Sequence, residues 1–140
     1  MAKNLIFELV SPSALLASEE VEMVVIPGQD GDFGVLPGHA PIISNLRPGI
    51  VDIYSDGSVS KTIFVEGGFV EVNDERCTLL ATTARELVDI SFEDASTRLS
   101  AAREQVMQVD EESNPAVARE LASAEALNYA LETRLPDNSV

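Results

Sequence analysis

Three regularly spaced glycines, Gly28, Gly31 and Gly34, are the first residues in the chain that could do chemistry. Glycine-rich turns of this kind can hold a phosphate against backbone N–H groups. This run lacks the Lys-Ser/Thr pair of a P-loop and does not open a helix. The nearest charges, Asp30 and Asp32, carry the same sign as a phosphate. We therefore predict no phosphate site in this stretch.

His39 is the only histidine in the sequence and could act as a general base or a metal ligand. It has no second histidine to cooperate with, and the single cysteine, Cys77, lies far along the chain in a predicted strand. Ser44 and Asp52 can be written beside His39 as a triad, but no nucleophile elbow surrounds any serine. We predict no catalytic residue, no metal site and no cofactor, and hence no enzyme activity of the isolated chain.

Acidic side chains dominate the charge, since 24 Asp and Glu against 9 Lys and Arg give a net charge of −15. A field of this sign repels phosphate backbones and anionic lipids, so we expect no nucleic acid partner and no direct lipid insertion. No stretch approaches the roughly 20 apolar residues of a membrane span. The apolar run Leu5–Phe7 is too short for a signal peptide, and the lone Cys77 suits a reducing compartment.

Short apolar runs separated by turn residues indicate strands throughout the first part of the chain. The dense glycine and proline stretch from Gly28 to Gly49 predicts a shaped loop, or very short strands joined by tight turns. Asp56-Gly57 is a hairpin signal. Such spacing indicates a β-sandwich or a flattened barrel. The predicted strands are 3–10, 14–18, 21–25, 41–46, 49–54, 60–66, 69–72, 76–82 and 86–90.

The apolar period changes to a helical one after Ser91. Ser91-x-x-Asp94 predicts a capping box at the start of a first helix. Residues 110–113 end this helix, Asn114-Pro115 begins a second one, and Pro136 ends it. We expect an antiparallel helical hairpin over 89–140, following a sandwich domain over 1–88. The predicted apolar faces are Phe92, Ala95, Leu99, Ala102, Val106 and Val109 on the first helix, and Val117, Leu121, Ala124 and Leu131 beside a ridge of Ala118, Ala122, Ala126 and Ala130 on the second.

Two motifs at a characteristic separation resemble one known family. The first is Gly28-x-x-Gly31-x-x-Gly34-Val35-Leu36-Pro37-Gly38-His39-Ala40-Pro41, followed by Leu46-x-Pro48-Gly49, and the second is Gly67-Gly68-Phe69-Val70-Glu71-Val72. Together they resemble the epsilon subunits of bacterial F-type ATP synthases, which are equivalent to the mitochondrial delta subunit. The resemblance implies a sandwich of about ten strands in two sheets, with a C-terminal helical hairpin.

The resemblance also implies a function. The chain would be a non-catalytic central-stalk (rotor) subunit of a proton-translocating ATP synthase, at the cytoplasmic face of the bacterial inner membrane. Its expected partners are the gamma subunit, the membrane ring (c) subunits and, transiently, the alpha/beta catalytic head. An alternative is a regulatory module whose helical tail inhibits ATP hydrolysis or senses nucleotide.

Site residues carried over from the resemblance form two groups. Those expected to contact the rotor ring are Gly31, Asp32, Phe33 and Gly34, and those expected to contact the gamma subunit are Ser11, His39, Ala40 and Pro41. From the residues themselves, Phe33, Val35 and Leu36 either form an exposed docking surface or fill the end of the sandwich. The resemblance favours docking.

The helical tail departs from the family pattern. Members that bind ATP carry Ile/Leu-Asp-x-x-Arg-Ala at the start of the first helix, where this chain has Ser91 in place of the Asp and Asp94 in place of the Arg. An Arg-to-Asp change reverses the charge offered to a phosphate, so we predict no nucleotide site. The acidity of the tail also argues against its acting as an inhibitor. Arg98, Arg103, Arg119 and Arg134 are interpreted as the solvated side of the hairpin.

Overall fold

A computed structural model of the chain describes residues 4–110 and 112–135. The chain divides into two units, Met1–Glu86 and Leu87–Val140. The predicted division falls two residues further along the chain, between 88 and 89. The expected end of the second helix at Pro136 and part of the expected turn, Glu111, lie outside the described residues.

The described residues of the first unit form eight strands, hydrogen-bonded in the order β2-β1-β8-β7-β6-β3-β4, with β5 paired to β7. Every pairing is antiparallel except that of β1 with β8, which is parallel. The strands are β1 (Leu5–Ser11), β2 (Ala14–Val21), β3 (Met23–Gly28), β4 (Gly31–Val35), β5 (Ile42–Asn45), β6 (Gly49–Ser55), β7 (Ser58–Val72) and β8 (Arg76–Glu86).

The long strand β7 serves both layers of the fold. Its first part pairs with β6 and its last part, 69–72, pairs with β5. Val65 and Val70 are both buried in the core although they lie an odd number of residues apart. Side chains alternate strictly along a strand, so the strand must change face between them. The change falls at Gly67 and Gly68, whose φ angles are +68° and +110°.

β8 also changes face, beside Gly67 and Gly68 of β7. Leu79, Ala81 and Ala84 all pack into the core, although Ala81 and Ala84 lie an odd number of residues apart. β7 and β8 together therefore carry the sheet around the core, and the two layers of the sandwich are continuous through them. The runs 60–66 and 69–72, expected as separate strands, are the two halves of β7. Counted by halves of β7 and β8, the eight strands become the ten segments expected of this sandwich.

The core between the layers is aliphatic, as the composition predicts, with Phe7 as its one fully buried aromatic ring among the described residues. Leu5, Phe7 and Leu9 alternate inward along β1. Asp52 is buried as well, and its carboxylate accepts a hydrogen bond from the Thr62 hydroxyl at 2.8 Å on the neighbouring strand. A buried carboxylate needs such a partner because its desolvation is costly.

Local turn signals are confirmed. The stretch from Gly28 to Gly49 contains the short strands β4 and β5 rather than a single loop. Asp56 and Gly57 both have positive φ, +54° and +82°, as a two-residue hairpin turn requires.

The strand predicted over 86–90 is wrong, because a 3₁₀ turn occupies Leu87–Asp89. Leu87 and Ile90 are both buried, and their spacing of three suits a 3₁₀ turn and not a strand.

The second unit is an antiparallel pair of helices, α1 (Phe92–Gln108) and α2 (Pro115–Arg134). Ser91 caps α1, since its hydroxyl accepts a hydrogen bond from the Asp94 N–H at 3.0 Å. Asn114 precedes α2, and Pro115 is its first residue, as predicted. Neither helix, within the described part of the chain, is long and apolar enough to cross a membrane.

Two cross-links fix the helices against each other. Arg98 forms a bidentate ion pair with Glu120, at 2.8 and 3.0 Å. The Asn128 amide donates to the Ala95 carbonyl at 2.8 Å. Arg98 was interpreted as part of the solvated side; its side chain is 28% exposed, and at the surface it joins the two helices.

The predicted alanine ridge is only partly correct. Ala130 is buried, but Ala122 is exposed, and the buried face of α2 includes Leu127, which was not predicted. A helix has 3.6 residues per turn, so a row of residues at i+4 drifts about 40° round the axis at each step. Four alanines at this spacing cannot all face one partner helix.

Candidate partner-docking surface

The four residues expected to contact the rotor ring lie together on β4. This strand is the end of the hydrogen-bonded path and pairs with β3. Gly31, Asp32 and Gly34 are exposed, whereas Phe33 is half-buried and packs against the core. Strand β4 therefore presents a narrow, glycine-rich edge that carries one acidic group, Asp32, and a second acid, Asp30, lies in the preceding turn.

The two interpretations of the apolar residues in this stretch each hold for part of it. Val35 is fully buried, and Phe33 packs against the core from the edge. Leu36 is 55% exposed. Val35 and Phe33 thus fill the end of the sandwich, and Leu36 remains available at the surface.

The loop after β4 brings His39 beside the same edge. Its Nδ1 lies 2.6 Å from the Ala40 carbonyl oxygen, which can only accept, so Nδ1 carries the proton. The ring centroids of His39 and Phe33 are 6.5 Å apart. One residue expected to contact gamma and one expected to contact the ring are therefore neighbours. Ser11 lies elsewhere, at the end of β1, where its hydroxyl donates to the Ala14 carbonyl at 3.3 Å.

An apolar row crosses the outer surface of one layer. Leu15 on β2 pairs with Val10 on β1. Val10 pairs with Leu80 on β8, which in turn pairs with Phe69 on β7. Paired residues point to the same face of a sheet, and here that face is outward, because the preceding residue Leu79 is buried. Leu15 is 60% exposed and Phe69 39% exposed. These four paired residues are called the apolar row below.

Two grooves flank this outer surface. The first, of about 250 Å³, runs along the apolar row and includes Ser11 in its wall. The second, of about 430 Å³, begins at Pro41 and includes Ile43, which is 71% exposed. Outward residues of the last part of β7 line both grooves. Two of the residues expected to contact the gamma subunit, Ser11 and Pro41, thus border the same apolar surface from opposite sides.

The apolar row was not identified from the sequence, although a signal for it exists. Two consecutive apolar residues on a strand place one on each face, so both faces become apolar. Leu79-Leu80 and Phe69-Val70 are such pairs. Pairing across four strands is needed to join them into one surface, and this pairing is non-local.

The structure does not assemble the triad that can be written from the sequence. Ser44 donates its hydroxyl hydrogen to the Asn45 carbonyl at 3.0 Å, and Asp52 accepts a hydrogen bond from Thr62 on the neighbouring strand. Burial raises the pKa of the Cys77 thiol to about 12, so it is not a thiolate near neutral pH. Among residues 4–110 and 112–135, no group of three or more His, Cys, Asp or Glu could hold a metal ion.

Ser91 and Asp94, which replace the nucleotide motif, have structural surroundings of their own. The Ser91 hydroxyl is engaged by the first turn of α1, and Asp94 lies in that turn. A carboxylate at this position is favourable to the helix dipole. The same charge opposes a phosphate.

The chain thus combines a β-sandwich that carries an exposed apolar row with a pair of helices that follows it in sequence. The sequence model of the family described as "ATP synthase, Delta/Epsilon chain, beta-sandwich domain" matches residues 4–87. The chain belongs to this family.

Named relatives support this membership over almost the whole length. The chain is 49% identical to the ATP synthase epsilon chain of Rhodospirillum rubrum over 131 residues, which is 94% of this chain and 96% of the relative. It is 46% identical to that of Paramagnetospirillum magneticum over 132 residues, 94% of this chain and 99% of the relative.

Solved structures share the fold. A chain in the cryo-EM structure of the Euglena gracilis mitochondrial ATP synthase superposes with a TM-score of 0.83 at 27% identity, covering 94% of this chain and 83% of that one. A chain from the central stalk and c-ring of the Tetrahymena thermophila mitochondrial ATP synthase gives 0.51 at 16% identity, covering 63% and 71%, and shows the fold alone.

Proposed function

We propose that this chain is a non-catalytic central-stalk subunit of a proton-translocating F-type ATP synthase. It would couple rotation of the membrane ring and the gamma subunit to ATP synthesis in the catalytic head. Membership of the family and the likeness to the Euglena enzyme support this role. The bacterial relatives favour the cytoplasmic face of the inner membrane, where the chain would be held by its partner subunits.

The observation that carries the proposal is the apolar row on the outer face of a chain with a net charge of −15. An exposed apolar surface of this kind, bordered by polar residues, marks a protein interface. We assign the gamma contact to this row together with Ser11, His39, Ala40 and Pro41. The two flanking grooves give the contact concave edges into which partner side chains can pack.

The rotor-ring contact is assigned to β4, with Gly31, Asp32, Phe33 and Gly34. An edge strand without bulky outward side chains allows close approach of a partner backbone. Asp32 offers a carboxylate for a hydrogen bond or a cation on the ring. The hydrogen-bonded sheet behind it would transmit torque with little distortion.

The gamma assignment is tested with a matched pair of substitutions on the same strand. Phe69 and Val59 are each 39% exposed on β7, but Val59 lies at the other end, beside the Asp56-Gly57 turn. Phe69→Glu places a charge in the apolar row, and we expect about a tenfold or greater loss of affinity. Val59→Glu should leave binding unchanged.

The readout is recovery of gamma, ring and catalytic subunits with the tagged chain from detergent-solubilised membranes. If the unaltered chain is recovered without these subunits, the proposed function is wrong. If both variants bind equally well, the function stands and the interface lies elsewhere.

The ring assignment is tested on the two acids of the β3–β4 hairpin. Asp32→Arg reverses the charge on β4, whereas Asp30→Arg makes the same change in the exposed turn. We expect the first to lower ATP-driven proton pumping per ATP hydrolysed and the second to leave it unchanged. Equal effects would show that net charge, and not the position on β4, determines coupling.

The alternative, a regulatory tail, is tested by truncation after Ile90. The helices form a unit of their own, so their removal need not disturb the sandwich. We propose that the sandwich alone supports ATP synthesis and that hydrolysis does not rise after truncation. A clear rise in hydrolysis would establish the inhibitory role instead.

A further inference from the structure

A short segment, Asn45–Arg47, ties the β3–β4 hairpin to the rest of the sheet. Its backbone bonds to the turn end of the hairpin: the Gln29 N–H donates to the Asn45 carbonyl at 2.9 Å, and the Arg47 N–H donates to the Pro27 carbonyl at 3.0 Å. On its other side, the Leu46 N–H donates to the Gly68 carbonyl at 3.0 Å. The segment thus connects the hairpin directly to the corner of β7.

The Arg47 side chain adds a clamp across both strands of the hairpin. Its Nη1 donates to the Gly28 carbonyl at 2.6 Å, at the end of β3. Its Nη2 lies 2.5 Å from the Asp32 carboxylate on β4. A guanidinium can make both contacts at once because its donors lie in a rigid planar fork, which a lysine ammonium lacks.

We infer that Arg47 is the positioning residue of the ring-contacting edge. It holds β4 in a fixed position relative to the rest of the sheet and Asp32 in one orientation. This inference rests on the proposed function. Because β4 lies at the end of the strand order, β3 is its neighbouring strand in the sheet. Arg47 contacts β4 from outside the hairpin and so restrains it independently of β3. Without that hold, the edge could move relative to the sheet, and part of the rotation would be lost as local motion.

The position of Gly68 gives this clamp a second consequence. Gly68 lines the groove beside the apolar row and accepts the hydrogen bond from Leu46. The path from the proposed ring contact to the proposed gamma contact therefore runs from Asp32 through Arg47 and Leu46 to Gly68. It consists of the Asp32–Arg47 ion pair, the peptide bond between Arg47 and Leu46, and the backbone hydrogen bond from Leu46 to Gly68.

The first test measures the isolated full-length chain by hydrogen exchange. We expect Arg47→Gln to raise amide exchange over residues 28–35 by about tenfold, since two charge-assisted bonds are lost at a partly exposed site. Arg76→Gln is the matched control, because Arg76 is similarly exposed, 45% against 42%, and pairs with Glu8 at 2.7 Å away from the hairpin. Arg47→Lys should exchange at an intermediate rate.

Faster amide exchange in Arg47→Gln that is confined to residues 28–35, with an unchanged urea midpoint of the sandwich, supports the positioning role of Arg47. Unchanged exchange in Arg47→Gln, or a rise spread over the whole sandwich, would overturn it. This test does not require the ATP synthase, so its result is independent of the proposed function.

The second test places the variants in the assembled complex and measures proton pumping per ATP hydrolysed. We expect Arg47→Gln to lower this ratio with assembly intact, and Arg76→Gln to leave it unchanged. Asp32→Asn combined with Arg47→Gln should be no worse than the poorer of the two single variants, because both act on one contact. A normal ratio in Arg47→Gln, despite faster hairpin exchange, would refute the coupling role. Failure of the unaltered chain to assemble would refute the proposed function alone.

Discussion

Gly68→Ala should be the most damaging small substitution in the sandwich. A Cβ added at Gly68 would lie 1.8 Å from the Leu80 carbonyl oxygen and 3.0 Å from the Ala81 Cα. Both are backbone atoms, so a side-chain rotation cannot relieve the contact. The φ of +110° adds strain for any residue with a Cβ.

The magnitude follows from these two terms. Backbone strain costs about 1–3 kcal/mol, and forcing backbone atoms apart in a packed sheet costs about 1–3 kcal/mol more. We expect a loss of about 2–6 kcal/mol, a large part of the roughly 5–15 kcal/mol that stabilises a typical domain. With an m-value near 1 kcal/mol/M for a unit of this size, the urea midpoint should fall by about 2 M or more.

The assay follows Tyr54, on β6, as a reporter of the sandwich. Tyr129→Phe removes the other tyrosine, which is 69% exposed on α2, so that urea unfolding followed by tyrosine fluorescence reports one unit. Gly57→Ala is the control, since its φ is +82° but its added Cβ would meet no described atom within 4 Å. It should lose only the strain, about 1–2 kcal/mol. Equal midpoints for the two variants would refute the steric argument.

Three further predictions concern local chemistry. Burial raises the pKa of Cys77 to about 12, so the folded state keeps a proton that the unfolded chain loses above pH 9; stability should fall by about 1.4 kcal/mol per pH unit between these values. Urea titrations at pH 8 and 10, on either side of the unfolded value, should therefore differ by about 1.4 kcal/mol in total, and Cys77→Ala should remove this difference; a difference of the same size in the variant would contradict the assignment. Ser91→Ala should destabilise α1 by about 1 kcal/mol through loss of its cap, whereas Ser96→Ala, within the helix, should be neutral or stabilising in thermal melts followed by circular dichroism. Asn128→Ala should lower the free energy of unfolding in the same melts by about 1 kcal/mol, because it removes the donor to the Ala95 carbonyl; an unchanged melting temperature would show that this hydrogen bond does not stabilise the helix pair.

Features that depend on neighbouring residues in sequence were predictable. The cap at Ser91, the helix start at Pro115 and the Asp56-Gly57 turn each rest on the preferences of a few adjacent residues. The inward alternation along β1 could likewise be predicted from its residues. These signals were sufficient for a β-rich first part followed by two helices, but they did not predict β4 and they placed a strand over 86–90.

Features that depend on distant pairing were not predictable in the same way. β7 continues through Gly67-Gly68 because it pairs with β8 on both sides of these glycines. In the sequence alone, two adjacent glycines indicate a break between two strands. The contacts of Arg47 join residues 15 and 19 positions apart. The apolar row combines four strands, which no local pattern reveals. The candidate site could therefore be predicted as two groups of residues, but not as one connected surface.

The parallel pairing of β1 with β8 has a consequence for how the chain is made. Ile6 pairs with Arg76 and Leu9 with Leu79, so the first strand of the chain finds this neighbour only after 70 further residues have been synthesised. At about 5–20 residues per second, roughly 4–14 seconds separate the two. During that interval the β1–β2 hairpin leaves the ribosome with its inner face uncovered and one edge unpaired. We expect nascent chains arrested before Arg76 to bind holdase chaperones and those arrested well after Glu86 to release them.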